Sequence, residues 1–157
     1  MDIITGEKNP NLRQLSKPVE HFTKEVRDLI SQMKMIMENN NGVGLAAPQI
    51  GIPLRVITCE LDDKFYVFIN PEIIKTSKET AAMEEGCLSL PNIYGEVIRP
   101  EKIILKAINA DGKKIKLKAF GLLARVIQHE IDHLDGILFI DKAKNITKEI
   151  GQKRITI

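Results

Sequence analysis

The sequence is short of the features that mark an exported or membrane-bound chain. Of its 157 residues only two are cysteine, Cys59 and Cys87, and one optional pair is no disulfide framework for a domain of this size. A reducing, cytoplasmic setting is expected, in which a thiol stays free to bind metal. Apolar runs are short, as in Ile137–Ile140, far below the roughly 18 residues of a membrane helix. The opening Met1-Asp-Ile-Ile-Thr-Gly-Glu lacks a basic stretch and a cleavage site, so a soluble, unexported protein is expected. Charge of one sign does not accumulate either. The 23 basic and 21 acidic side chains give a formal +2, with no block that would serve direct nucleic-acid binding or an anionic membrane. Repeats, low-complexity stretches and linkers are missing, because Pro and Gly are scattered as turn punctuation. With 43% hydrophobic and 28% charged residues, one compact domain spanning residues 1–157 is expected.

Within that domain the hydrophobic period changes twice. Prolines at 10 and 18 bias the opening to extended conformations that wrap the surface. From a Thr23 N-cap, Val26, Leu29, Ile30, Met33, Ile36 and Met37 form one helical stripe that ends at Asn39-Asn-Asn-Gly42. Short β-prone runs follow at Leu54–Cys59, Phe65–Ile69, Ile103–Ile108 and Ile115–Leu117, with turns at Asp62-Asp63 and Asp111-Gly112. No helical pattern lies between them to make parallel crossovers, so the strands are expected to be antiparallel. A second helix carries Phe120, Leu123, Ala124, Ile127, Ile131 and Leu134 on one face and stops at Gly136. The order helix, strands, helix defines an α+β fold.

The second helix carries His129-Glu130-Ile131-Asp132-His133. Two imidazoles four residues apart lie about 40° apart around a helix axis and can share one cation. Leu122 and Val126 project to the same side and give the site an apolar floor. Glu130 stands about 100° from His129, too far round to be a ligand but placed to act as general base on a water. Asp132 lies on the opposite flank, either solvated or bonded to an imidazole.

A catalytic site of this kind needs a third protein ligand, and the residues leave it open. His21 precedes the first helix and reads as a surface residue; Cys59 ends an apolar run and reads as core. Cys87, within Glu85-Gly-Cys-Leu-Ser-Leu-Pro91, sits among small and turn-forming residues where a backbone can approach a site, or is itself a buried core thiol. Gln49 alone reads as a polar cap on a loop.

Three segments, Gly42-Val-Gly-Leu-Ala-Ala-Pro-Gln49, Glu85-Gly-Cys-Leu-Ser89 and Gln128-His-Glu-Ile-Asp-His-Leu-Asp-Gly136, resemble in order the three signatures of the peptide deformylase family. The resemblance runs from Asn9 to about Asp141. It implies antiparallel sheets around a central helix that carries the metal motif, with an N-terminal helix beside them. It implies removal of the formyl group from the N-terminal formylmethionine of nascent polypeptides, with release of formate. Cys87, His129 and His133 become the ligands, and a water activated at the metal attacks the formyl carbon while Glu130 serves as base and then acid. The Gln49 amide and the Leu88 N–H would hold the developing oxyanion. Backbone groups of Val43 and Gly44 would pair with the substrate, and Met83, Leu122 and Val126 are candidate walls for the methionine side chain, each equally at home in a core. Glu85 and Gln128, beside the ligands in the chain, are expected to steady them. Arg125 is either on the pocket side or a snorkelling surface residue.

The resemblance has gaps. Some bacterial relatives place an arginine where this chain has Ile93-Tyr94, and the tail from Lys142 to Ile157 is not the long basic helix of many relatives. Transient ribosome proximity is therefore expected without a docking helix. The short tail and Gln49-Ile-Gly-Ile-Pro53 resemble the type common in bacteria and organelles. One thiolate and two imidazoles suit zinc, nickel or cobalt as well as iron; the family resemblance points to Fe(II). Two rival readings stand beside it. One is another H-E-x-x-H peptidase or amidase. The other is a structural metal site closed by Cys59 or His21.

Overall fold

The computed structural model describes residues 1–149 and 156–157. In chain order the elements are α1 (Pro10–Arg13), α2 (Lys24–Asn39), β1 (Gly44–Ala46), a 3-10 turn (Ala47–Ile50), β2 (Val56–Leu61), β3 (Lys64–Thr76), β4 (Thr80–Cys87), β5 (Leu90–Pro100), β6 (Lys102–Ile108), β7 (Lys114–Phe120), α3 (Gly121–Leu134), a 3-10 turn (Phe139–Asp141) and β8 (Lys144–Lys148). Among the described residues, no helix is long and apolar enough to cross a membrane.

Two antiparallel sheets result, one ordered β1-β2-β3-β6-β7 and one β4-β5-β8. The first sheet is covered on both faces around β2 and β3. Val56, Val67 and Ile69 meet Leu29, Met33 and Met37 of α2, whereas Ile57, Cys59 and Phe68 meet Ile127 and Leu134 of α3. That division follows from the two-residue period of a strand. The other flank of α3 faces the second sheet with polar groups: Arg125 donates to Val97 O and Ala81 O, and Gln128 Nε2 donates to Pro100 O at 3.0 Å. The helix is thus fastened apolar side to one sheet and polar side to the other, which makes it the centre of an α+β architecture.

Both long helices stand where the periodicity places them. Thr23 Oγ1 accepts from Val26 N at 3.4 Å and caps α2. The Asp62-Asp63 turn has positive φ at both residues, the geometry of a tight hairpin. Phe120 departs from expectation. It ends β7 and is 75% exposed instead of joining the buried face of α3. The opening segment is not wholly extended either, since Asn9 caps the single turn of α1 by accepting from Asn11 N at 3.1 Å. It does wrap the body: Ser16 N donates to Leu134 O, and Lys17 bridges Leu54. The second sheet has no counterpart in the four β-prone runs. Part of the tail forms β8 on β5, and residues 150–155 of that tail lie outside the described residues.

Candidate active site

Helix α3 brings His129 and His133 to one side, and β4 ends at Cys87 opposite them. One ligand atom from each of the three lies within 4.8 Å of the others. Cys87 Sγ is 3.3 Å from His133 Nε2, and all three residues are buried. The ladder between β4 and β5 shifts register between Gly86 and Cys87, which turns the thiol inward. Gly86 is required there by a close approach, because a Cβ would lie 2.8 Å from the Tyr94 ring.

Glu85 organises the cluster from behind. His129 Nδ1 donates to its Oε1 at 2.8 Å, which leaves His129 Nε2 facing the other two donors. Arg99 forks onto both carboxylate oxygens at 2.7 and 3.0 Å, and Arg125 reaches Oε2 at 2.8 Å. Arg99 also donates to Asp132 Oδ2 at 2.8 Å. Two guanidiniums are thereby balanced by two carboxylates. Burial alone would raise the Glu85 pKa, but the hydrogen bonds and charges of His129 and Arg99 hold it well below the usual carboxylate range.

The remaining groups are pushed toward their neutral forms. Burial, reinforced by the charge of Glu85, drives the Glu130 carboxyl well up. Burial and then the Glu130 charge push the Cys87 thiol up. Burial, with His129 and Arg99 nearby, drives His133 well down. His129 Nε2 and both Glu130 oxygens are buried without a hydrogen-bond partner among the described residues. The unpartnered His129 Nε2 beside a soft thiol and a second imidazole is what a divalent cation satisfies, and such a cation would favour the Cys87 thiolate, the Glu130 carboxylate and the neutral imidazoles. The donor set fits a metal.

Glu130 lies outside the three-donor group and directly beneath β1. A Cβ on Gly44 would stand 2.9 Å from Glu130 Oε1 and 2.8 Å from Val126 Cγ1, so only glycine lets the strand pass so close. Gln49 is fully buried in the 3-10 turn after β1. Its Oε1 accepts from Ala46 N at 2.9 Å, which aims its Nε2 toward Ser89 Oγ at 3.1 Å and Cys87 Sγ at 3.7 Å. Leu88 follows Cys87 in the β4–β5 turn, with its side chain against Gly42. A hollow of about 280 Å³ opens beside Cys87 and Leu88 and is lined also by Ile93 and Tyr94.

The structure relocates several residues. Among the described residues, the Gln128 amide donates to Pro100 O and Ala124 O, not to Cys87, His129 or His133, and ties α3 to the end of β5. Arg125 is buried on Glu85, not a snorkelling surface side chain. Met83 and Leu122 meet across a separate hollow of about 470 Å³, whereas Val126 lies fully buried under Gly44. His21 is exposed, and Cys59 lies in the core on β2; neither joins the metal-ligand group. Arg99 and Ser89 escaped the sequence reading. Arg99 had one signal, its alternation with Gly95 and Val97 on the inward side of β5.

Two helix-borne imidazoles, a thiol from a neighbouring strand and a carboxyl kept out of the ligand set define the chain as a metallo-hydrolase. Comparison with known proteins makes the class specific. The family described as Polypeptide deformylase matches residues 1–149. Peptide deformylase of Carboxydothermus hydrogenoformans is 46% identical over 141 residues, covering 90% of this chain and 92% of the relative. That of Halothermothrix orenii is 47% identical over 144 residues, covering 90% and 93%. The crystal structure of Synechococcus elongatus peptide deformylase in complex with actinonin superposes with a TM-score of 0.89 at 41% identity, covering 92% of this chain and 79% of that one. Thermotoga maritima peptide deformylase gives 0.87 at 40% identity, covering 90% and 96%. The chain belongs to the polypeptide deformylase family.

Proposed function

We propose that residues 1–157 act as one catalytic domain that hydrolyses the formyl amide of N-terminal formylmethionine on nascent polypeptides in the cytoplasm, releasing formate and a free amino terminus. The observation that carries this reading is the grouping of Cys87, His129 and His133 within 4.8 Å, beside a buried Glu130 whose two oxygens have no partner among the described residues.

Cys87 Sγ, His129 Nε2 and His133 Nε2 would hold the metal, for which Fe(II) is the proposed native ion and zinc, nickel or cobalt would fit the same donors in preparations. When bound, the cation supplies Lewis acidity and lowers the pKa of water. Glu130 takes the proton of the attacking water and delivers it to the departing amine nitrogen. The Gln49 amide and the Leu88 N–H donate to the formyl oxygen as it gains charge, and the bond from Ala46 N fixes the Gln49 amide beforehand. Glu85 holds the His129 ring through Nδ1 and so sets which nitrogen is free. Val43 and Gly44 present the backbone strip for the substrate main chain, and Met83 and Leu122, which line one hollow, offer apolar surface to its side chain, with Val126 packed beneath Gly44.

The test is formate release from formyl-Met-Ala-Ser by anaerobically prepared, Fe(II)-loaded protein, with acetyl-Met-Ala-Ser in parallel. Formate without acetate is expected. Equal cleavage of both would favour a general amidase, and no cleavage by metal-loaded protein would refute the reading.

A further inference from the structure

Thr156 and Ile157 lie between the two strands that flank the reacting groups. Val43 N donates to Thr156 O at 3.2 Å, and Ile157 N donates to Gly86 O at 3.1 Å. Val43 leads into β1, whose Gly44 crosses Glu130; Gly86 precedes Cys87 in β4. Val43 O is already occupied by Glu60 N at 2.9 Å, so Val43 N is the group left to pair with a chain in the cleft. The Ile157 side chain is fully buried in the apolar cluster that includes Ala46 and Val126, against which Val43 and Leu122 pack. Thr156 lines the hollow beside Cys87 and Leu88.

We propose that Thr156–Ile157 is a pseudosubstrate, a segment of this chain that occupies the peptide channel and must leave before a formylated N-terminus can enter. The proposal rests on the assignment of Val43 and Gly44 to the substrate main chain. Main-chain bonds to strand edges are indifferent to sequence, so any extended peptide competes for Val43 N and Gly86 O. The apolar burial of Ile157 supplies the side-chain half of the recognition. It presents no formyl group, so it blocks without being consumed. Because the competitor belongs to the same chain, its effective concentration is high, and the apparent affinity for substrate falls by the fraction of molecules with the channel open.

Ile157→Asp puts a carboxylate where an apolar side chain is buried and expels the segment. Formyl-Met-Ala-Ser kinetics on the unaltered chain and on this variant should show KM at least about fivefold lower in the variant at unchanged kcat. Amide hydrogen exchange at Val43 should speed up in the variant. Unchanged KM with unchanged Val43 exchange overturns the proposal, as does a lower kcat and melting temperature at constant KM, which would mark simple packing. If Ile157→Asp does not fold, the unaltered chain decides. Saturating Met-Ala-Ser must move the Ile157 methyl signals to solvent-exposed positions, and unmoved signals overturn the proposal. A failure of the deformylase reading looks different, since neither protein then releases formate, and the pseudosubstrate role falls with it.

Discussion

Glu85→Gln tests the charge network behind the proposed metal ligands. Among the described residues, each hydrogen bond of this carboxylate comes from a donor: His129 Nδ1 and Arg99 at Oε1, Arg99 and Arg125 at Oε2. An amide of the same shape must therefore turn its NH₂ against a donor whichever way it is flipped. The substitution also leaves two buried guanidiniums short of a counter-charge, Arg99 keeping Asp132 and Arg125 keeping two carbonyls. Breaking one member of a buried pair costs about 3–5 kcal/mol, which for a domain of this size lowers the melting temperature by about 6–20 °C. Loss of the carboxylate behind His129 should weaken metal binding by about 10- to 100-fold. Thermal melts at neutral pH and competition with a chelator read the two effects. The variant should also change the acid limb. Glu85 titrates lower in the folded chain than its ordinary 4.5, so the unfolded chain takes up its proton first. The stability it confers is complete above about pH 4.5 and is lost as pH falls toward the depressed folded value; in Glu85→Gln that dependence disappears. A melting shift under about 2 °C with metal affinity unchanged would refute the network's role.

Three further outcomes are expected. Glu130→Gln leaves the ligands untouched, so metal content by elemental analysis should be unchanged while kcat drops at least about a hundredfold; unchanged turnover would remove Glu130 from the chemistry. Gly44→Ala drives a methyl to within 2.8 Å of Val126 and 2.9 Å of Glu130 and should destabilise by about 1–3 kcal/mol in urea unfolding. Adding Val126→Ala should restore part of that loss, and a fully stable Gly44→Ala would contradict the close crossing. The Fe(II)-loaded protein should lose activity in air through oxidation beside Cys87 and keep it under anaerobic handling; an air-stable, fully active zinc form would overturn the iron assignment.

What the sequence made legible depended on whether residues that act together also lie together. Helices α2 and α3 showed a clean 3.6-residue period, and the two histidines and Glu130 share one turn of α3, so that part of the site was visible in a single local pattern. Cys87 was the favoured third ligand but, read from its residues alone, as readily a core thiol, because its place is decided by the β4–β5 register shift and no local signal fixes that. The second sheet was hidden for a related reason. The inward positions of β4 and β5 carry Glu85, Gly86, Gly95 and Arg99 as well as Val97, so the alternation that marks a half-buried strand is broken by the charged pair the site needs. A glutamate and an arginine placed thus look like surface residues until pairing brings them together at 2.7 Å. Asp132 and Arg125 stayed open between a surface and an inward role for the same reason, each a common helix-surface residue whose partner lies on the other sheet. The rule that charged side chains stay outside unless paired then works in reverse. Once β4 is known to end in a buried thiol, the carboxylate two residues before it points inward as well and requires cations, and the inward arginine of β5 is the first place to look.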